Sequence, residues 1–539
     1  MNEVDRKGGT MNKMTKDLSA WWLLILLLVA SLPANSDSLV DAVQRRDNET
    51  VRSLLEQGTD VNGSHEDGAT GLMWAAYWGD VETAELLIRS GAEVNAENEY
   101  GATPLWLACS NGHADMVQRL LDAGADPNTA VWSGETALMT AVRRSADAVK
   151  LLLLHGADVN AQESRGGQTS LMWSIVEGDM DISRLLVEHG ADVHAHSKGG
   201  FTPLLFAVQQ NDLESVLSLL ESGADVNDGS PDTNPLLLAS AKGYGELLSV
   251  LVENGANPNA IDFRGYTALH YAAQDRDMAE ATKILLAYGA DPNVRIWKEA
   301  SEMERAPIVG AAESSFLRSP TRVINVGTKG GPTPIGATPF WLATLVGNVP
   351  AMRVLLEGGA DWRLTNTEGI FFEGGSGRRA EHIANQTPFM LAAGAGRIGD
   401  NWSDYTPVQE TRALEALKIL LGLGADVNET DEYGFTALHG AAYIGAHSII
   451  SFLVENAANI DAVDNFGQTP LSIAERIFTK GLGGSLDASP HKYRRETADL
   501  LLKLGATSLE ASGIEVFDHL KLDEVIVGED TENDRATEP

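Results

Sequence analysis

Three histidines, His189, His194 and His196, are the closest this chain comes to a metal-ligand cluster. They straddle what reads as a helix end and a loop, with no carboxylates at the fixed spacing a zinc site needs. His189 reads instead as a cation at a helix C-terminus. Cys109 is the only cysteine, so no disulfide forms within the chain, and its place after Ala108 reads as small core packing. There is no Gly-x-x-x-x-Gly-Lys segment, and Gly374-Gly375-Ser376-Gly377 lacks the strand and helix that flank a phosphate loop. Serine, histidine and aspartate are plentiful but show no nucleophile-elbow pattern. These residues point away from catalysis, with no cofactor and no metal expected. What remains is recognition chemistry, and its candidates are aromatic. Trp74, Trp106, Trp173, Phe206, Tyr271 and Trp341 each follow a threonine by three or four residues. Large rings are good anchors for a protein partner when exposed. They are equally good packing between neighbouring helices, and leucine takes the same register at Leu107, Leu238, Leu342 and Leu391. Arg378 and Arg379 are further candidates, a cationic pair in an acidic chain.

The elements that carry these residues repeat. Thr70, Thr103, Thr136, Thr169 and Thr202 are spaced by 33 residues; Asn234-Pro235 continues the series and Thr267 resumes it. Thr338, Thr387, Thr436 and Thr469 follow after longer gaps. A period near 33 marks a stack of small units rather than one globular core. Gly101-Ala102-Thr103-Pro104-Leu105 is the clearest copy of the motif; Gly200 to Leu204, Gly265 to His270 and Gly467 to Leu471 are close to it. Threonine caps a helix start, and proline suits the first helical position. Nine residues on comes a helix-stopping residue, Gly79, Gly112, Gly178, Asn211, Gly243, Gly347, Gly396 or Gly445. A second helix carries an apolar pair such as Leu120-Leu121, Leu219-Leu220 or Leu285-Leu286. It closes with Gly-Ala-Asp, as at Gly124 and Gly424, and an asparagine-bearing loop. Neither helix is long enough to stand alone, so the leucines are buried only when units stack.

This pattern, from Gly-x-Thr-Pro-Leu-His-x-Ala-Ala to Gly-Ala-Asp-x-Asn, resembles the ankyrin repeat over roughly residues 38 to 507. The resemblance implies an all-α ankyrin-repeat solenoid of about twelve helix-turn-helix units with turn or hairpin tips. The family's motif histidine is present only at His270 and His439; Met73, Trp106, Met139, Met172, Leu205, Leu237, Trp341, Met390 or Ser472 stands elsewhere. In the family that histidine bonds the threonine hydroxyl and the next loop. Its loss implies more apolar packing and fewer hydrogen bonds between repeats. The resemblance also places the aromatic side of the first helix on the concave face.

The net charge is −36 with a sequence pI near 4.6. Nucleic-acid binding needs a basic footprint and is not expected. The charge reads as a solvated surface or, more sharply, as long-range attraction for a cationic partner. Near the N-terminus, Lys13 and Lys16 precede the apolar run Ala20 to Leu32, followed by Pro33-Ala34-Asn35-Ser36. That is the form of a secretory signal cleaved after Ser36, and the run is short for the ~20 residues that span a bilayer. With a single cysteine, the expected location is periplasmic or secreted, in a bacterial exported chain that is monomeric and has no stable membrane span once cleaved.

The breaks in the period set the organisation. Residues 1–36 read as signal peptide, 37–293 as capped N-terminal repeats and 294–336 as an inserted loop. Residues 337–507 read as C-terminal repeats with insertions, and 508–539 as an acidic, partly disordered tail. From Thr267 to Thr338 the step is 71, an excess of 38; the next two steps are 49, an excess of 16 each. These excesses fall at Val294–Gly336, at Gly369–Asn385 and around Arg397–Thr411, the last between the two helices of its unit. Insertions in solenoids often sit on the binding face. The function expected is a non-enzymatic scaffold that binds a protein through the concave face, turn tips and inserts. A regulator or chaperone-like accessory of an exported enzyme, or a secreted effector of host proteins, is the alternative.

Overall fold

The structure, a computed structural model, describes residues 38–230, 233–262, 264–296, 335–367, 384–395, 405–475 and 494–508. The expected signal peptide, acidic tail, Arg378, Arg379 and the middle of each insert lie outside the described residues. The chain divides into two compact units, up to Arg165 and from Gly166. Each is built from the same helix pair, four pairs in the first unit and eight in the second among the described residues. There are no strands among those residues, only isolated antiparallel bridges such as Ala130 with Thr136 and Ile261 with Thr267.

Each first helix starts where the sequence places it. The hydroxyl of Thr103 accepts the amide N–H of Trp106 at 3.2 Å, and Pro104 occupies the first turn. Thr70, Thr136, Thr169, Thr202, Thr338 and Thr387 cap in the same way, and the Asn234 side chain does so for Leu237. The helix ends after about two turns at a left-handed residue, for example Gly112 at φ 75° or Asn211 at φ 57°. In the unit of Thr387 the helix ends at Ala392, with Gly394 at φ 101°, and Gly396 lies outside the described residues. A second cap then restarts the chain: Asp80, Asp179 and Asp212 accept N–H bonds at the start of the second helix.

Within each unit, first helices pack on first helices and second on second. Leu120, Leu219 and Leu285 are fully enclosed, while Leu220 and Leu286 are half-buried. Each enclosed leucine contributes roughly 1.5–3 kcal/mol by leaving water. The stack continues across the inserts: the first helix Ala268–Gln274 packs on Pro339–Leu345 as if no residues intervened. The long insert leaves and re-enters through one backbone clasp, with Ile296 N–H donating to Ala337 O at 3.0 Å and Gly336 N–H to Ile296 O at 2.6 Å. Ile296 itself is completely buried, against Tyr266, Tyr271 and Trp341. The second insert re-enters at Asn385, whose N–H bonds Asn366 O at 3.0 Å. The third excess, expected between the helices, is partly helical. It lengthens the second helix, Pro407–Gly422, to 16 residues, where 9 is usual.

Candidate protein-interaction surface

Two side-chain systems join neighbouring units. The first is a ladder of loop asparagines. Asn62 Nδ2 donates to Gly91 O, and its Oδ1 accepts Glu93 N–H at 2.8 Å. Asn95 bonds Gly124 and Asp126 in the same way, and Asn128 bonds Gly156 and Asp158. In the second unit Asn227, Asn259 and Asn428 repeat the pattern. Asn293 does so across the long insert, reaching Gly359 O at 3.2 Å and Asp361 N–H at 2.7 Å. Asp461 ends the series by accepting the Thr507 N–H and hydroxyl.

The second system stands at the motif-histidine position. His270 and His439 each bond their threonine and reach the carbonyl just before the next threonine, Ala337 O and Gln468 O. Both rings are enclosed, and burial pushes their pKa down to about 4, so they are neutral. The histidine's absence elsewhere was expected to cost inter-repeat hydrogen bonds. At two positions it does not. Trp106 Nε1–H donates to Glu135 O at 3.1 Å, and Trp341 Nε1–H to Gln386 O at 2.9 Å, the equivalent carbonyls. Ser472 replaces the other half of the histidine's work, accepting Thr469 N–H at 2.8 Å. Met73, Met139, Met172 and Leu205 fill the position with apolar packing.

The aromatic candidates therefore divide. Trp74, Trp173, Tyr271 and Trp341 are enclosed, with exposures of 6%, 8%, 8% and 3%. Trp74 meets Tyr77 edge-on at 5.9 Å. Tyr271 stacks on Tyr266 at 5.3 Å, and its hydroxyl donates a hydrogen bond to Asp262. Trp106 and Phe206 keep part of their rings open, Phe206 tilted against Phe201 at 5.7 Å. The loop histidines do not converge: no group of three metal-ligating side chains occurs among the described residues. His189 caps a helix and bonds Leu185 O at 2.9 Å, and His196 pairs with Asp228 of the next unit at 3.1 Å. Cys109 is enclosed, and burial pushes its thiol pKa well up, so it carries no thiolate.

Trp132 went unnoticed in the sequence. It is the most exposed tryptophan of the described residues, at 74%, on the turn before Gly134. Its ring lies 6.0 Å from Tyr100 on the preceding turn, and its N–H donates to Tyr100 O at 3.2 Å. Gly101, at φ 75°, makes room, since a Cβ there would lie 3.1 Å from the indole. In the second unit Tyr433 and Phe466 pair on consecutive turns at 5.7 Å. Backbone bonds join adjacent tips, as between Glu99 and Asp67 or Asn465 and Tyr433. The signal was available: all four rings stand one or two residues before the turn glycine, a register set by the turn and not by helical spacing.

Below the tips of Tyr100, Tyr433 and Phe466 sits a side-chain acceptor, whereas the tip of Trp132 has Val131 in that place. Asp431 Oδ1 accepts N–H bonds from Tyr433 and Phe435, both at 3.0 Å; Asp464 does the same for Phe466 and Gln468, and Asn98 for Tyr100 and Ala102. Burial raises the pKa of Asp431 to about 7, against the pull of its two N–H donors, with Glu432 and Asp464 adding to the rise. Burial raises Asp464 and Asp262 as well. The second oxygens of Asp431 and Asp464 are enclosed without a hydrogen-bond partner.

Stacked pairs of short antiparallel helices, joined by tight turns and bonded unit to unit, define a helical repeat solenoid, a class built for recognition over extended surfaces. A family model described as ankyrin repeats (3 copies) matches residues 39–296 in overlapping segments and 408–477, more than half of the chain. The chain belongs to the ankyrin-repeat family. It is 30% identical over 242 residues to the human neurogenic locus notch homolog protein 2, covering 44% of this chain and 9% of that protein. It is 25% identical over 291 residues to the human transient receptor potential cation channel subfamily A member 1, covering 45% and 26%. It is also 25% identical over 232 residues to the putative ankyrin repeat protein FPV230 of fowlpox virus, covering 42% and 85%. The similarity thus spans only a small part of the two human proteins. These relatives are human and viral, and what they share with this chain is the repeat. Ankyrin repeats are protein-interaction scaffolds, and no helix among the described residues is long and apolar enough to cross a membrane.

Proposed function

We propose that this chain is a non-enzymatic, monomeric scaffold that captures a protein partner on its turn tips and the open side of its first helices. The carrying observation is Trp132, 74% exposed on a turn fixed by backbone bonds to its neighbour. An exposed ring on a fixed turn loses little conformational freedom on binding, which is what an anchor needs. Trp106 and Phe206 add partly open rings; Trp74, Trp173, Tyr271 and Trp341 hold the first helices in register beneath them. The exposed Glu97 and Glu99 beside Tyr100, in a chain of −36, favour a partner with a basic segment, and a cation over Trp132 gains about 0.5–1 kcal/mol. Arg378 and Arg379 and the inserts would add specificity.

Export belongs to the same proposal. Its support is Lys13, Lys16, the apolar run to Leu32 and the small residues before Asp37. In that setting the scaffold serves in the periplasm or outside the cell, as an accessory of an exported enzyme or an effector on host proteins.

Capture by the mature chain, followed by mass spectrometry, supplies the partner. Trp132→Ala with Tyr100→Ala is expected to weaken that capture at least tenfold while leaving the unfolding midpoint within error. Undiminished capture would remove the tips from the interface. Recovery of the chain with residues 1–36 still attached would remove the cleavage.

A further inference from the structure

The long second helix creates a feature that regular repeats lack. Its added N-terminal turns lie over the inter-helix turns of the two preceding units. Together they line a shallow cleft, open to solvent, whose walls include Arg276, Val346, Gly347, Gln409 and Arg412. Arg276 is held by one donor, Nη2 to Val346 O at 2.8 Å. Arg412 comes from the lengthened helix itself, its Cβ 3.8 Å from the position a Cβ on Gly347 would take. Neither arginine has a carboxylate at ion-pair distance among the described residues, although Asp and Glu outnumber Lys and Arg 76 to 40. Elsewhere arginines do find carboxylates, as Arg353 finds Glu415 and Arg119 finds Glu85. Partial burial, then the charge of Arg412, pushes Arg276 below its ordinary range. Two guanidiniums lining one cleft repel each other until an anion lies between them.

We propose that this cleft binds an oxyanion, a carboxylate or phosphate group, clamped by Arg276 and Arg412 with the Gln409 amide beside them. The guanidinium fork offers paired N–H donors matched to the two oxygens of either group. Arg276 has donors to spare after its bond to Val346. The inference stands whether or not the turn tips bind a protein, because its ligand is probed directly.

The test uses the full chain and two probes at constant ionic strength, inorganic phosphate and N-acetyl-aspartate, each titrated by calorimetry with chloride as reference. Wild type is expected to bind at least one, and the probe that binds identifies phosphate or carboxylate as the source. Arg412→Gln and Arg276→Gln are each expected to weaken it about tenfold or more, the loss of one charge-assisted pair. Arg412→Lys keeps the charge without the fork and is expected to fall between. Without added anion, Arg412→Gln should unfold no earlier than wild type, since it relieves repulsion; this separates loss of a site from loss of folding. Binding of neither probe by wild type, or equal binding by wild type and both glutamine variants, overturns the proposal.

Discussion

Asp431 offers a perturbation whose sign reverses the usual expectation for a carboxylate. Replacing it with asparagine keeps the turn acceptor, because Asn98 performs the same two-bond role elsewhere in the chain at 3.0 and 2.9 Å. What changes is the charge. Asp431 is 6% exposed, its Oδ2 lacks a partner, and its pKa stands near 7 against an ordinary 3.8. Between those values the folded chain holds more protons than the unfolded one, so stability falls as pH rises through the interval and is lowest above about 7. The full shift converts to about 4 kcal/mol. Relaxation and water near the turn reduce this to an expected ~1–2 kcal/mol, in line with effective dielectrics near 20 at such sites. Asp431→Asn should therefore stabilise the C-terminal repeats by ~1–2 kcal/mol at pH 8 and by less at pH 5, the gain vanishing only below the ordinary 3.8. The neutral histidines act in the opposite direction. His270 and His439, held down near 4 by burial, withdraw stability as pH falls below about 6.5. They act alike in wild type and variant, so the difference between the two isolates Asp431. Hydrogen exchange over residues 428–475 at both pH values, corrected for intrinsic rates, measures it locally, which matters because long repeat arrays need not unfold as one unit. Destabilisation by the same amount at pH 5 and pH 8 would refute the reasoning.

Asn95→Ala removes bonds to Gly124 O and Asp126 N–H and should cost ~1–2 kcal/mol by urea denaturation. Trp341→Phe keeps the enclosed ring but strands the Gln386 carbonyl. A loss of about 1–3 kcal/mol is expected, with Trp106→Phe costing less because its site is half open. Gly134→Ala meets Ser164 at 2.6 Å with φ at 75°. It should lower the melting temperature by several degrees, from a cost of ~1–3 kcal/mol, whereas Gly124, at φ 90° with open space around it, should tolerate alanine better.

Local rules were legible wherever the cause lies within a few residues. The threonine caps, the proline at the first turn and the left-handed Gly112 and Asn211 follow from the chemistry of single positions. Pairings between units were less accessible. The asparagine of the Gly-Ala-Asp-x-Asn segment is visible in the sequence, but nothing in it says that Asn293 bonds residues 66 and 68 positions away. Tryptophan at the histidine position reads as an apolar replacement, and only geometry shows its N–H reaching the same carbonyl. Coverage of a ring also needs geometry: in the sequence Trp341 suits packing between helices as well as a partner anchor, and neighbouring units enclose it, while Trp132 stands exposed on a turn outside the helical spacing. The third excess was placed between helices, whereas Thr406, with Gln409 as its partner in a capping box, starts the helix early.

The clasp at Ile296 and Ala337 has a consequence for assembly of the fold. In the regular repeats that precede the insert each step of growth joins segments about 30 residues apart, as Asn227 does with Gly255 and Asn259 with Gly289, so an ordered region can extend by one neighbour at a time. Between Asn293 and Gly359 the next neighbour is twice as distant along the chain, and closing the longer loop costs roughly a further 0.6 kcal/mol for the doubling. Growth from either side should pause there, leaving two nuclei that mature separately and join late. The insert then acts as a kinetic checkpoint, and shortening it should speed the last folding phase more than it changes equilibrium stability.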